Sequence, residues 1–345
     1  MAPVETQTVL AGHTTLRLGG PARTFVVAET TGALLDAVRA AGEPMLLLGG
    51  GSNLVVGDDG FDGTVVKIAT TGWQVDGDSV EVAAGQNWDD FVAAMVDEGL
   101  GGLECLSGIP GSVGATPIQN VGAYGCEVAD LLTSIDCYDR RTGEVRTMTA
   151  AELGFAYRTS VLKGTDTGIV LSVRFGLRPD GLSAPVKYAE LGRTLGVRPG
   201  ARVPAADARE AVLGLRRGKG MVLDPADQDT WSAGSFFTNP IVPEADLPEV
   251  LARIAEAVDA PVPQYPADGG AKLSAAWLIE RAGFGKGYPG SGRVSLSRKH
   301  TLALTNRGGA TTSELLSLAR EVRDGVRARF GVTLAPEPLL INCAL

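Results

Sequence analysis

Leu46-Leu47-Leu48-Gly49-Gly50-Gly51-Ser52-Asn53-Leu54-Val55-Val56 joins two apolar runs through three glycines, a serine and an asparagine. Without Cβ atoms, glycines let a backbone turn tightly and bring its N–H groups close to a bound group. A row of such groups forms a concave anion site. The stretch therefore reads as a pyrophosphate cradle or as an ordinary tight connection between two strands. No Gly-Lys-Ser/Thr follows, so it is not a P-loop. Asn53-Leu54-Val55-Val56 reads as a strand rather than a helix start, so it is not the G-x-G-x-x-G dinucleotide fingerprint either.

A second glycine-rich stretch strengthens the cradle. It runs Leu103-Glu104-Cys105-Leu106-Ser107-Gly108-Ile109-Pro110-Gly111-Ser112-Val113-Gly114-Ala115-Thr116-Pro117-Ile118-Gln119-Asn120-Val121-Gly122-Ala123-Tyr124-Gly125. A solvated loop of this length is uncommon in a compact domain and would be more polar. An uncharged wall suits a flat, partly apolar cofactor: glycines permit close approach, while Ser107, Ser112, Thr116, Gln119 and Asn120 offer hydrogen bonds. The other reading is a glycine-rich crossover inside the core.

Composition sets the bounds. The 345 residues suffice for two or three domains. Glycine supplies 46 of them, well above the usual share of about 7%, which predicts many tight turns. A net charge of −9 argues against nucleic acid as a partner. No apolar run is long enough to span a membrane, and the first residues lack a secretory leader. Cys105, Cys126, Cys137 and Cys343 form no Cys-x-x-Cys pair and read as reduced thiols of a cytoplasmic protein. With only His13 and His300, no metal site is expected.

The two glycine stretches, as quoted, resemble the MurB family, the UDP-N-acetylenolpyruvoylglucosamine reductases of peptidoglycan synthesis. The likeness runs from about residue 14 to 341. It implies an α+β, two-lobed FAD-binding fold of the vanillyl-alcohol oxidase type with a C-terminal α+β substrate-binding domain. Residues 1–70 would form the first FAD-binding lobe, with 330–345 returning to it. Residues 71–220 would form the second lobe and 221–329 the substrate domain. Non-covalent FAD would be held by Gly49, Gly50, Gly51, Ser52, Asn53, Ser107, Gly108, Ile109, Pro110, Gly111, Ser112, Gly114, Ala115, Thr116, Gln119, Asn120, Gly122, Ala123, Tyr124 and Gly125.

Other residues gain meaning beside that resemblance. Arg158 sits among apolar neighbours, where a guanidinium needs an anionic partner. Ser235, in Gly234-Ser235-Phe236-Phe237-Thr238-Asn239-Pro240, has no base in its motif and is a poor nucleophile, but it could donate a proton beside a flat ring. Glu337, between two prolines in an apolar segment, is either desolvated or paired with a cation. The resemblance makes Arg158, Ser235 and Glu337 catalytic. It implies substrate contacts from Tyr157, Tyr188 (a tyrosine on a mobile loop, as in the longer subtype), Lys219, Asn239, Tyr265, Lys272 and His300. Ser297 departs from the pattern, since some relatives carry histidine there.

Residue spacing yields local expectations. Short strands are expected at 14–22, 25–28, 45–48, 63–68 and 79–84, a hairpin over 135–146 and a central strand over 168–177. Helices are expected over 87–100, 207–215, 247–258 and 272–282, one capped by Thr30 or Thr31, and one opened by the Thr311/Glu314 capping box and running to Phe330. His300 should start a strand, and Glu337 should lie within one. Trp88, Phe91, Val92, Met95 and Val96, and likewise Trp277, Leu278 and Ile279, are expected in the core.

The implied reaction is an NADPH-dependent, FAD-mediated reduction of UDP-N-acetylglucosamine enolpyruvate to UDP-N-acetylmuramate. It serves cell wall biogenesis and with it cell shape and division. A cytoplasmic monomer acting on small molecules, without nucleic acid or membrane, is expected. Two rivals share the cofactor: an oxidase of the same fold that passes electrons to oxygen, and a non-catalytic flavin-binding protein.

Overall fold

The computed structural model describes residues 3–345. The chain folds into two compact units, one of residues 1–7, 23–50 and 62–222, the other of residues 8–22, 51–61 and 223–345.

The first unit contains most of a four-stranded sheet, in the order Val4–Val9, Pro21–Ala28, Phe61–Ile68, Met45–Leu48. Met45–Leu48 runs parallel to Phe61–Ile68, with Leu48 opposite Lys67. Helix Thr31–Ala40 is capped by Thr30, whose hydroxyl accepts from the Ala33 amide. It packs Leu34 and Val38 against Ala28 and Val66 of this sheet and against Ile169 and Leu171. A second, antiparallel sheet has the order Glu144–Thr149, Leu132–Asp139, Gly168–Gly176, Ser79–Ala83, Trp73–Asp76. Gly168–Gly176 is the middle strand, as its nearly unbroken apolar run predicts. Its Val173 and Phe175 join Val80, Val82 and the helix Trp88–Asp97 in one core, where Trp88, Phe91, Val92 and Met95 are fully buried.

The second unit is built on helix Thr312–Phe330, opened by the expected capping box of Thr311 and Glu314. Leu315, Ala319, Val322, Val326 and Phe330 bury one face of it among Leu278, Ile279, Phe236 and Phe237. At about 0.8 kcal/mol per buried methylene, burial of this face stabilises the unit. Leu339–Ile341 lies parallel to Leu54–Val56, the strand that follows the triple glycine.

Four local expectations are corrected. Residues 14–20 form a turn, not a strand: the Thr14 hydroxyl donates to Leu18 O at 2.9 Å, and Arg17 takes φ +54°. Leu16 and Leu18 are buried as a strand face would be, but the hydroxyl ties the backbone to itself instead. Lys272 lies in a strand, Gly270–Leu273, opposite Tyr265; the helix is only Ala275–Arg281, because Ser274 caps it through the Trp277 amide. His300 sits in the turn between Val294–Leu296 and Leu304–Asn306, not at a strand start. The buried Ser297 hydroxyl accepts from the Lys299 and His300 amides and fixes that turn. Glu337 precedes the strand Leu339–Ile341, since a proline on either side withholds N–H groups from a ladder.

Candidate active site

In the first unit the two glycine stretches meet. A Cβ on Gly50 would lie 2.5 Å from Gly111 Cα, and one on Gly49 would lie 2.6 Å from Ser112 Oγ. Gly50 faces backbone and tolerates no side chain, so glycine there is required by contact; at Gly49 the Ser112 hydroxyl would have to turn aside. The Lys67 ammonium donates to Gly49 O. Burial pushes the Lys67 pKa down.

Gly108 is anchored at both ends of its peptide groups. Its N–H donates to Asp89 Oδ1 at 2.6 Å, and its carbonyl accepts from Arg216 Nη2 at 3.3 Å. Asp89 is also paired with Arg209 at 2.6 Å. Burial alone would raise the Asp89 carboxyl, but Arg209 and the Gly108 N–H outweigh it and hold it below its ordinary value. Burial pushes the Arg216 guanidinium down, and its Nε is enclosed with no acceptor among the described residues. Ser107 is fully buried, and its hydroxyl likewise lacks a partner.

The wall divides into hidden and accessible parts. Thr116 and Asn120 are buried and spend their side chains internally: Thr116 on Val113 O, Asn120 on Glu127, Ala156 O and the Ala129 amide. Gly114 is buried too, with its amide on Ala84 O. Ile109, Pro110, Gly111, Ala115, Gln119, Gly122, Ala123, Tyr124 and Gly125 keep partly or fully exposed surface. That surface is uncharged, shallow in side chains and bordered by the Gly49–Gly50 contact. It fits a flat dinucleotide, which needs close backbone approach along its length.

Arg158 donates to Gly122 O at 2.7 Å and to Asn120 O at 3.4 Å, and lies 5.5 Å from the Tyr157 ring centre. Asn120, Tyr124 and Arg158 all hold positive φ, at +46°, +53° and +54°. Such strain in residues other than glycine gathers at functional sites. Tyr188, which is exposed, meets Tyr124 edge to face with ring centres 5.4 Å apart. Lys219 stands 5.8 Å from the Tyr124 ring centre and pairs with Glu190 at 2.6 Å. Burial works against the Lys219 charge, but Glu190 and the Tyr124 hydroxyl outweigh it and raise its pKa.

In the second unit, Phe236 and Phe237 are buried edge to face, with centres 5.2 Å apart, and fix the backbone on one side of half-buried Ser235. The Glu337 amide donates to Phe236 O at 2.9 Å, and the Thr238 amide to Ala335 O at 3.1 Å. Asn53 donates to Glu337 O at 3.4 Å and accepts from the Leu339 amide through its own carbonyl at 2.9 Å. Asn53, Ser235 and Glu337, far apart in sequence, are thus gathered by two main-chain bonds and the Asn53 side-chain amide. Asn239 Oδ1 accepts from the Ala275 amide at 2.9 Å, and Tyr265 faces Lys272 across two strands. Two recesses of this unit, of about 340 and 210 Å³, are lined by neither Ser235 nor Glu337. Among the described residues no cluster could hold a metal ion.

Lys67, Asp89 and Arg209 were not singled out from sequence. A lysine inside the apolar strand Val65-Val66-Lys67-Ile68 was the available signal; for the others, distance in sequence hid the contact.

Comparison with known proteins agrees with this arrangement. Residues 22–149 match the family described as FAD binding domain, and residues 224–341 the family described as UDP-N-acetylenolpyruvoylglucosamine reductase, C-terminal domain. The chain is 68% identical to the UDP-N-acetylenolpyruvoylglucosamine reductase of Saccharopolyspora erythraea, over 97% of this chain and 95% of that one. It is 60% identical to the enzyme of that name from Nocardia farcinica, over 97% and 89%. Among solved structures, UDP-N-acetylenolpyruvylglucosamine reductase from Thermus caldophilus superposes with a TM-score of 0.70 at 28% identity, covering 99% of this chain and all of that one. The α+β FAD-binding fold with a C-terminal substrate domain stands as expected. On the strength of relatives that match almost end to end, the chain belongs to the UDP-N-acetylenolpyruvoylglucosamine reductase family.

Proposed function

We propose that this chain reduces UDP-N-acetylglucosamine enolpyruvate to UDP-N-acetylmuramate in peptidoglycan precursor synthesis, with FAD as cofactor and NADPH as reductant. The near full-length identity of 68% to a reductase of that name carries this reading. The paired glycine stretches support it, because their contact leaves a wall suited to FAD. FAD, which the two glycine stretches would hold, would supply the hydride chemistry between NADPH and the enolpyruvyl double bond.

The chain's own residues do the rest. Ser235 holds the proton destined for C2, the carbon left electron-rich beside the substrate carboxylate. A hydroxyl is a weak acid, so only a strongly basic carbon draws a proton from it. The buried phenylalanines that follow it favour this role, since they fix its backbone. Arg158, and Glu337 through a proton that it holds or shares, balance the charge that grows on the carboxylate and enol oxygen. Tyr157, Tyr188, Lys219, Asn239, Tyr265, Lys272 and His300 hold the nucleotide sugar, with Lys219 and Lys272 suited to its diphosphate. In domain terms, residues 1–70 and 71–220 are the two FAD-binding lobes, with 330–345 returning to the first, and residues 221–329 bind substrate. No helix among the described residues is long and apolar enough to cross a membrane; the protein acts as a cytoplasmic monomer.

The test is product formation. Purified protein given NADPH and UDP-N-acetylglucosamine enolpyruvate should yield a product two mass units heavier by mass spectrometry, one per NADPH consumed. NADPH consumption that ignores the sugar nucleotide would support an oxidase instead.

A further inference from the structure

The glycines of the cradle solve one problem and create another. Contact with the Gly111 backbone forbids a side chain at Gly50, and one at Gly49 would press on the Ser112 hydroxyl. A peptide between two glycines, however, is held by no Cβ on either side and turns over easily. Its orientation matters, because the C=O and N–H of a trans peptide point in opposite directions. The Gly49–Gly50 bond is trans, and its carbonyl is taken by the Lys67 ammonium. The Gly50 N–H therefore points away from Lys67, and among the described residues it meets no acceptor.

Lys67 is itself unusual. It sits half-buried opposite Leu48 in the parallel pair of strands, and among the described residues no carboxylate offsets the burial that pushes its pKa down. A desolvated ammonium without a counter-charge is costly and is retained where an anion completes the site. We infer that Lys67 is a positioning residue for the cofactor. It locks the Gly49–Gly50 peptide with the Gly50 N–H outward, and its charge strengthens that N–H as a donor to the FAD pyrophosphate. This inference rests on the reading of the chain as an FAD enzyme.

The experiment is the rate of FAD release from full-length, flavin-loaded protein, followed as flavin fluorescence after dilution. Loss of a charge-assisted hydrogen bond of this kind corresponds to about tenfold or more in affinity. Lys67→Met should release FAD about tenfold faster than the wild type, and Lys67→Arg, which keeps charge and donors, should fall nearer the wild type. Release from Lys67→Met at the wild-type rate, or from Lys67→Arg as fast as from Lys67→Met, would overturn the role of Lys67 while leaving the FAD reading intact. A wild-type protein that carries and takes up no FAD would overturn the FAD reading itself. Should Lys67→Met not fold, the wild-type holoprotein decides. An ammonium held on a carbonyl exchanges its protons slowly enough to give a proton–nitrogen correlation signal for Lys67, and a Lys67 ammonium in fast exchange contradicts the lock.

Discussion

Glu337 donates its backbone N–H to the carbonyl of Phe236 at 2.9 Å, which sets the carboxylate-bearing residue beside the one that follows Ser235. The bond runs main chain to main chain and uses neither side chain. Substitution of either side chain should therefore alter chemistry without dismantling the backbone that presents it.

Glu337→Gln tests this separation. Because the Phe236 bond uses only backbone, FAD should remain bound, with an unchanged ratio of flavin to protein absorbance. Turnover of the enolpyruvyl substrate should fall about a hundredfold or more, the usual cost of losing a group that stabilises developing charge. Loss of the flavin instead would give Glu337 a structural role.

Gly50→Ala tests the contact between the two glycine stretches. The new methyl would stand 2.5 Å from Gly111 Cα, and both stretches are backbone there, so something must move. Overpacking of this kind costs about 1–3 kcal/mol, and the displaced stretches should hold FAD poorly. Thermal unfolding and flavin content of the purified variant check both. A variant with wild-type flavin content would contradict the close approach.

Asp89→Asn tests the anchor of Gly108. The Asp89 carboxyl lies below its ordinary 3.8 because Arg209 and the Gly108 amide outweigh the effect of burial. A lowered native value stabilises the fold above the unfolded value, and that stabilisation is lost as pH falls through the native one. The variant should therefore be less stable than the wild type at neutral pH, by about 1–3 kcal/mol for a hydrogen-bonded charge. The gap should close only below the ordinary aspartate range. Urea unfolding at a series of pH values measures it; a gap that persists at the lowest pH contradicts the charge argument.

Tyr188→Ala tests the aromatic pair. Tyr188 is exposed apart from its edge-to-face contact with Tyr124 at 5.4 Å, so little stability depends on it. An aromatic contact of this type is worth about 0.5–1.5 kcal/mol beyond its buried area. Removal should raise the KM for the nucleotide sugar about tenfold while leaving kcat within about threefold, by the same estimate. A fall in kcat at constant KM would place Tyr188 in the chemistry instead.

Much of this was legible in the chain. Gly49 to Asn53 and the stretch around Gly111 could be read as two walls because glycine excess without charge has few other uses. The capping box at Thr311 and the apolar spacing of Trp88 to Met95 are local signals, and the structure keeps both. What escaped depends on side-chain partners that composition and spacing do not name. Thr14 looks like a strand residue until its hydroxyl reaches Leu18 O, and Asn120 looks like a ligand-facing amide until Glu127, Ala156 and Ala129 consume it. Lys67 stands in an apolar run, and only the fold reveals the Gly49 carbonyl beside it.

The central claim is that the Ser235 hydroxyl supplies the proton that completes reduction. Stopped-flow absorbance on Ser235→Ala separates the two halves of the cycle most directly. NADPH should bleach the flavin at close to the wild-type rate, and adding UDP-N-acetylglucosamine enolpyruvate should then restore its colour at least a hundredfold more slowly, within the usual 10²–10⁴ range or so for a general acid. Recovery at the wild-type rate would remove Ser235 from the mechanism.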